Sequence, residues 1–281
     1  MVDLVTAGDA FEDFVFAKLP RLPRAGEELK TPTLVRTPGG GVVITAVAAA
    51  RLGLRCEAIA AFAPDSARRL ARERVRVVNL RRPRERPAMT VAMSTPRDRA
   101  FVTFAGVNDA VEPRLMRAVR RATARHVHFA LQPARCAPWT SVVLALRARG
   151  VTTSWDFGWS EPLARDRGLA RLAASVDYLF VNAQESKLYG RAIVSGAQTA
   201  IVKLGARGAR WISSDAAFTV AAPRVRAVDT TGAGDAFDGG FLFALLRGRP
   251  PRDCIRIGNA VAAQSTRAVG GVDGLPRRID A

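Results

Sequence analysis

Short apolar segments alternate with amphipathic segments along most of the chain. Alternation of strand, helix and strand is typical of a parallel sheet that is covered by helices. Because neither an internal repeat nor a break in composition interrupts it, the pattern predicts one α/β domain over residues 1–281. The predicted strands are VDLVTAG, HVHFAL, VTTSWDFG, DYLFVN and AIVKLG, and the predicted helices include TSVVLALRARG, LARLAASV and residues 42–52.

Two segments depart from this alternation. Residues 14–38 contain four prolines, which would interrupt a helix, so this segment is predicted to form extended edge strands. Residues 87–106 are also strand-like, and residues 95–98 have the composition of a hairpin turn. We expect the two segments to pair in a small sheet outside the main core.

Residues 228–251 carry the most specific chemical pattern in the chain. A turn of small residues at 230–234 precedes a predicted helix with Phe237, Phe241 and Ala244 or Leu245 on one face. Gly248 and the two prolines that follow it are typical of a helix end. The turn is therefore predicted to lie at the N-terminus of a helix, where unpaired amides and the helix dipole favour an anion.

Asp235 directly follows the small residues Gly232, Ala233 and Gly234, whose size lets phosphate oxygens approach the backbone. A carboxylate beside an anion site repels phosphate unless it has another role. The role predicted here is that of a general base for a hydroxyl that attacks phosphorus. The alternative is an ordinary first-turn residue that the helix dipole favours. The combined spacing of glycines, acid and helix favours the catalytic role.

The charge balance suggests a different class of protein. Lys and Arg total 43 against 25 Asp and Glu, which gives a net charge of +18, and such an excess is typical of nucleic-acid binding. All but four of these basic residues are scattered arginines, and aromatic residues do not interleave with the densest cluster, at 68–86. We interpret the charge as solvated surface, while Arg97 and Arg99 are candidates for contacting an anionic substrate.

The motif DTTGAGD resembles the C-terminal signature of the ribokinase-like (PfkB-type) carbohydrate kinase family. The resemblance extends over nearly the whole chain. It includes PGGGVVITAVAAARLG, the motif FVNAQE, the segment IVKLGARG and the segment GNAVAAQSTRAVGG. It implies a three-layer α/β/α fold with a mostly parallel central sheet, and a small β-sheet lid formed by the segments at about 14–38 and 87–106.

The resemblance also implies a role for each matching position. Asp235 would be the base, and the backbone of Gly232, Ala233 and Gly234 the anion hole for the γ-phosphoryl group of ATP. The other implied contacts are Asn182 and Glu185 for Mg²⁺ and its waters, Lys203, Gly205, Gly208 and Asn259 for the nucleotide, Asp13, Gly39 and Gly40 for the substrate, and Asp229 and Thr231 for a monovalent cation such as K⁺.

Two departures from the family pattern bear on the substrate. Ile44 occupies a position where sugar kinases of this type usually carry an asparagine, and the segment after AIAAFAPD is shorter than usual. Both argue against an ordinary ribokinase or fructokinase. The leading hypothesis is an ATP-dependent kinase acting on a hydroxyl of a sugar, sugar acid or nucleoside. The alternatives are a non-catalytic relative that binds a small molecule and a nucleic-acid-binding protein.

Other residues are interpreted more simply. The three cysteines form no CxxC pair, and His126 and His128 share one face of a predicted strand, so we interpret them as packing residues. Asp156 lies in a DFG sequence without the rest of a protein-kinase motif set, which predicts only a strand end near the cleft. Because apolar runs are short and the start lacks a basic region, we expect a cytoplasmic protein without a membrane partner. A homodimer formed through the lid is a further option.

Overall fold

The computed structural model of the chain describes residues 2–95 and 99–279, and for Arg99 and Ala192 the backbone alone. Arg97 therefore lies outside the described residues, as does most of the predicted 95–98 turn. The strands are β1 Val2–Gly8, β2 Phe11–Ala17, β3 Thr33–Gly39, β4 Cys56–Ala60, β5 Arg76–Asn79, β6 Met89–Ser94, β7 Arg99–Phe104, β8 Ala124–Ala130, β9 Thr152–Asp156, β10 Tyr178–Asn182, β11 Thr199–Lys203, β12 Ala209–Ser213 and β13 Ala217–Val220. The helices are α1 Gly41–Arg51, α2 Pro64–Arg72, α3 Asn108–Arg121, α4 Cys136–Arg147, α5 Glu161–Ala164, α6 Leu169–Ser175, α7 Ala183–Tyr189, α8 Arg191–Gly196, α9 Ala233–Leu246 and α10 Pro251–Ser265.

A large sheet forms the centre of the molecule. Within the described residues nine strands follow the order β13-β12-β11-β10-β9-β8-β1-β4-β5. The pairs from β11 through β5 are parallel, whereas β12 and β13 are antiparallel at one edge. The five strands predicted from the apolar segments are β1, β8, β9, β10 and β11, so the predicted mostly parallel α/β architecture is confirmed.

Helices cover both faces of this sheet because both of its faces are apolar. One core cluster joins the sheet to α1, α9 and α10 through side chains such as Val47, Phe241 and Ile257. The other joins it to α3, α4 and α6 through residues such as Leu115 and Trp139. Burial on both faces is what long apolar strands of a parallel sheet require.

A second, smaller sheet lies apart from the first, with the strand order β3-β2-β6-β7. β2 pairs with β3 antiparallel and with β6 parallel, so the segments predicted to pair with each other do so. β2 starts at Phe11, earlier than the predicted segment, and Asp13 consequently lies within a strand. We call this four-stranded sheet the lid sheet.

The histidines and cysteines are buried. The Ser154 hydroxyl lies 2.8 Å from one ring nitrogen of His126 and 2.8 Å from one of His128. Burial lowers the pKa of both imidazoles to about 3, so they remain neutral. Cys56, Cys136 and Cys254 are free thiols.

Within residues 2–95 and 99–279, all helices are too short or too polar to serve as membrane-spanning segments.

Candidate active site

The carboxyl ends of the parallel strands meet at one edge of the large sheet. β9, β10 and β11 end at Asp156, Asn182 and Lys203; Asn182 lies opposite Lys203, and Asp156 lies opposite Phe180, two residues before Asn182. A cavity of about 610 Å³ lies above these ends and is closed on the other side by the start of α9. Crevices at the carboxyl ends of strands are where open α/β sheets bind ligands. We call this space the first cavity.

The 230–234 turn enters α9 through a left-handed glycine. Gly232 has φ +71°, and a Cβ atom at this position would lie 2.5 Å from Cδ1 of Ile44. α9 starts at Ala233, and the first amides of a helix have no acceptor within it. The predicted helix N-terminus is present, and Thr230, Gly232, Ala233 and Gly234 line the first cavity.

Asp235 lies in the first turn of α9 and lines the same cavity. Its main-chain carbonyl accepts a hydrogen bond of 3.1 Å from the Thr45 hydroxyl, and a Cβ atom on Gly41 would lie 2.9 Å from its Oδ1. Removal from bulk water, followed by the charge of Asp156, raises the pKa of Asp235 to about 7. The carboxyl group can therefore both accept and release a proton near neutral pH.

Asn182 and Glu185 form a capping box at the start of α7. Glu185 accepts hydrogen bonds from the Asn182 amide at 2.7 Å and from Asn182 Nδ2 at 2.6 Å, and the Glu185 amide donates to Asn182 Oδ1 at 2.9 Å. Burial raises the pKa of Glu185, with a further contribution from Asp156. Both residues line the first cavity, so a rigid carboxylate faces the same space as the 230–234 turn.

Asp13 lies against the glycines that precede α1. A Cβ atom on Gly39 would lie 1.9 Å from the Asp13 carboxylate, and Gly40 has φ +90°. Burial, and then the charge of Asp229, raises the pKa of Asp13 to about 7. Within the described residues, the first cavity is lined by Asp9, Phe11 and Gly41 on this side.

Asp229 organises the 230–234 turn. Its Oδ1 accepts hydrogen bonds of 2.9 Å from the Thr231 amide and 2.7 Å from the Thr231 hydroxyl, and its Oδ2 accepts one of 3.0 Å from the Gly270 amide. The structure thus brings together the two residues predicted for a monovalent cation. A carboxylate has about four lone-pair sites, so Asp229 keeps capacity for a further ligand.

A second cavity, of about 500 Å³, adjoins the first across the 230–234 turn. Lys203, Gly205, Gly208 and Asn259 all line it, as predicted for the nucleotide side. Asn259 Nδ2 donates to the carbonyls of Val220 and Ala221, at 3.0 and 3.3 Å. Apolar side chains form most of the remaining wall, among them Ala222, Pro223, Val225, Phe237 and Ala262.

Three acidic residues of this region were not assigned to the site from the sequence. Asp9 and Asp156 line the first cavity, and Asp238 is fully buried one turn after Asp235. Carboxylate oxygens of Asp156, Asp235 and Asp238 lie within 4.8 Å of one another. Two features of the sequence could have identified Asp238 and Asp9. Asp238 is an acid on a predicted helix face that is otherwise apolar, and Asp9 directly follows a buried strand.

The chain resembles known kinases in sequence. A 91-residue segment is 45% identical to an uncharacterized sugar kinase of Archaeoglobus fulgidus and covers 32% of this chain and 36% of that protein. The chain spans between 30 and 46% of the length of the first curated relatives that it matches.

Solved structures share the whole fold. The adenosine kinase of Sinorhizobium meliloti superposes with a TM-score of 0.80 at 21% identity, over 96% of this chain and 95% of that one. Arabidopsis thaliana ribokinase, in complex with ribose and ATP, superposes with a TM-score of 0.73 at 22% identity, over 98% and 96%. The ribokinase-like fold expected from the sequence is therefore confirmed.

The family assignment follows from the whole length of the chain. The family model described as pfkB family carbohydrate kinase matches residues 1–278. The match includes the lid sheet, the 230–234 turn and all strand ends of the first cavity. The chain belongs to the pfkB family of carbohydrate kinases.

Proposed function

We propose that this protein transfers the γ-phosphoryl group of ATP to a hydroxyl group of a sugar, sugar acid or nucleoside. The observation that carries the proposal is the position of Asp235 in the first cavity, directly after Ala233 and Gly234, which line both cavities. The acceptor would occupy the first cavity and the nucleoside part of ATP the second. The phosphates would then cross the 230–234 turn.

Asp235 serves as the base in this proposal. The acceptor hydroxyl gives its proton to the Asp235 carboxylate as its oxygen bonds to the γ-phosphorus, and the bond from that phosphorus to the β-phosphate oxygen breaks to release ADP. Amides of Gly232, Ala233 and Gly234 donate to the phosphoryl oxygens as charge spreads over them. A pKa of about 7 suits this role, since half of the carboxyl groups are ionised near neutral pH.

The residues of the first cavity fit a divalent cation. Among the described lining residues four are acidic (Asp9, Asp156, Glu185 and Asp235) and one, Lys203, is basic. Such a site repels a polyphosphate unless a cation accompanies it. Mg²⁺ supplies that charge neutralisation when it is bound. Glu185, oriented by Asn182, would hold it through water, and Asp13 with Gly39 and Gly40 would contact the acceptor.

The experiment is a coupled assay of ADP release against pentoses, hexoses, keto-sugar acids and nucleosides, with Mg²⁺ and with or without K⁺. We expect one acceptor class to stimulate ADP release, and Asp235→Asn to lower kcat by about 10³-fold while the Kd for ATP changes by less than threefold. Asp215→Asn, an exposed acid on the turn between β12 and β13, is the matched control. ATP binding without turnover on any acceptor would instead identify a non-catalytic relative.

We also propose that two copies of the chain pair through the lid sheet. Its outer face carries apolar side chains from all four strands, and Leu34 and Val102, on the edge strands, are 57% and 64% exposed. Pairing would remove these side chains from water. Val102→Lys is expected to convert a dimer to a monomer in analytical ultracentrifugation, and Thr219→Lys, on the edge strand of the large sheet, should not. A wild-type protein that sediments as a monomer contradicts the proposal.

A further inference from the structure

The ammonium group of Lys203 is held inside the protein under the first turn of α9. It donates hydrogen bonds to Asp156 Oδ2 at 2.6 Å and to the two oxygens of Asp238 at 3.1 and 3.2 Å. A longer bond of 3.4 Å reaches the carbonyl of Gly234. The side chain of Lys203 is 11% exposed, and that of Asp238 is fully buried. Lys203 lines both cavities, and its ammonium group is hydrogen-bonded to protein groups around them.

These contacts join three elements that the sequence keeps far apart. Asp156 ends β9, Lys203 ends β11, and Asp238 lies in α9. Gly234 is close enough that a Cβ atom on it would lie 3.3 Å from Lys203 Nζ. The ammonium group therefore connects the first turn of α9, whose amides would bind the anion, to the ends of β9 and β11. A buried charge is retained at such a position only with full hydrogen bonding.

The same ammonium group balances the acids that surround Asp235. Asp156 of β9, Glu185 of α7 and Asp13 of β2 each raise the pKa of Asp235, and Lys203 is the group that lowers it. Asp238 adds a further acid from α9 itself, and burial raises its own pKa well above the usual range. Asp156 is the partner that remains ionised, since Lys203 lowers its pKa.

A bound metal ion is not needed to explain why Asp156, Asp235 and Asp238 lie close together. Their oxygens lie within 4.8 Å of one another, which is close enough for a shared cation. However, Lys203 Nζ already lies within hydrogen-bond distance of two of the three. The protein thus supplies the positive charge at this point itself.

We propose that Lys203, held by Asp156 and Asp238, is a positioning residue that keeps the first turn of α9 in place and supplies a countercharge that favours the ionised form of Asp235. The proposal rests on the proposed function through the role of Asp235 as base. It differs from the role implied by the family resemblance, in which Lys203 contacts the nucleotide. Asp238 becomes a part of the site through Lys203, without touching the reactants.

The test compares Lys203→Met, which keeps the length of the side chain without its charge, with Lys203→Arg, which keeps the charge. The first readout is the titration of the Asp235 carboxyl carbon by ¹³C NMR in the protein without ligands, assigned with Asp235→Asn. We expect Lys203→Met to raise the pKa of Asp235 by at least about one unit, since opposite charges at this range shift a pKa by about 1–3 units. Lys203→Arg should keep it within about half a unit.

The second readout is the Kd for ATP measured without an acceptor. It should change by less than about threefold in Lys203→Met. A tenfold weaker Kd together with an unchanged Asp235 titration would mean that Lys203 is a nucleotide contact and would overturn the proposal. A lower melting temperature with both readouts unchanged would mean a purely structural role and would also overturn it.

Two further variants keep these outcomes interpretable. If Lys203→Met does not fold, Lys203→Met/Asp238→Leu removes Lys203 together with the buried Asp238 carboxyl group and keeps Asp156, so a rise in the pKa of Asp235 is still expected. Asp235→Asn separates the two proposals. Normal turnover in Asp235→Asn refutes the base assignment, whereas an inactive Asp235→Asn with an unmoved titration in Lys203→Met refutes the role of Lys203 alone.

Discussion

The two cavities on either side of the 230–234 turn differ in the chemistry of their lining residues. The first is lined by four acids and by Lys203, whereas the second is walled mainly by alanine, proline, valine and phenylalanine side chains. In the proposed reaction the first cavity moves a proton and holds a cation, whereas the second receives the nucleoside part of ATP. Thr230, Ala233 and Gly234 of the turn line both cavities, so the proposed phosphoryl transfer would take place where the two cavities meet.

Asp9 and Asp235 of the first cavity, and Asp13 of the nearby lid sheet, differ from ordinary surface acids in their protonation. Burial is the largest cause that raises the pKa of Asp9, Asp13 and Asp235, each to about 7. These three carboxyl groups are therefore partly protonated at neutral pH. Among its described lining residues the second cavity has no acid.

Of the three tests that compare the two cavities, the one at the turn has the largest expected effect. Gly232→Ala introduces a side chain at φ +71° and 2.5 Å from Ile44 Cδ1, so the backbone must move. We expect kcat to fall by about 10²-fold, because a shift of about 1 Å in a catalytic group costs this much. Gly150→Ala is the matched control, since φ is +73° there but the space around it is open. Equal effects of the two substitutions on kcat would contradict a special role for the turn.

The pH dependence of kcat/KM probes the first cavity alone. Asp235 must be ionised to accept a proton, and its pKa is raised to about 7. Activity is thus lost as the pH falls through 7, and kcat/KM should drop by about tenfold from pH 8 to pH 6. The Kd for ATP should change by less over the same range, because the proposal places the nucleoside part of ATP in the second cavity. An activity that is constant down to pH 5 would rule out a base with this pKa.

The smallest expected effect is confined to the second cavity. Ala263→Leu narrows the wall of that cavity, and we expect the KM for ATP to rise about fivefold, close to the cost of about 1 kcal/mol for one misfitting methylene group. The value of kcat should stay within twofold, because the residues of the first cavity are untouched. Ala260→Leu, one turn earlier in α10 and outside the lining of the second cavity, is the control. A lower kcat in Ala263→Leu would show that the cavities are not separable.

The sequence predicted the fold and the local motifs well because both rest on short-range patterns. Alternation of apolar and amphipathic segments predicted β8 through β11. The prolines of residues 14–38 and the strand-like composition of residues 87–106 predicted the strands of the lid sheet. The start and end of α9 followed from Gly232 and Gly248, which both have positive φ. Each of these signals lies within a single segment of the chain.

The environment of the site was harder to predict from the sequence. Lys203 was assigned to the nucleotide side, yet its ammonium group bonds to Asp156, 47 residues away, and to Asp238, 35 residues away. Ile44 was noted as a missing polar contact to substrate. Its side chain packs under Gly232 and Gly271 and supports the turn. Contacts of this kind depend on how helices and strands pack together.

The sequence alone determined the α/β class, the lid strands, the position of the 230–234 turn at a helix start and the acid that follows it. These features depend on the period, size and φ preference of neighbouring residues, which the chain carries locally. Only the tertiary structure decided which acids share the first cavity, where the charge of Lys203 goes and how far the pKa of Asp235 is raised. Burial and electrostatic coupling depend on distances in space between residues that are remote in the chain.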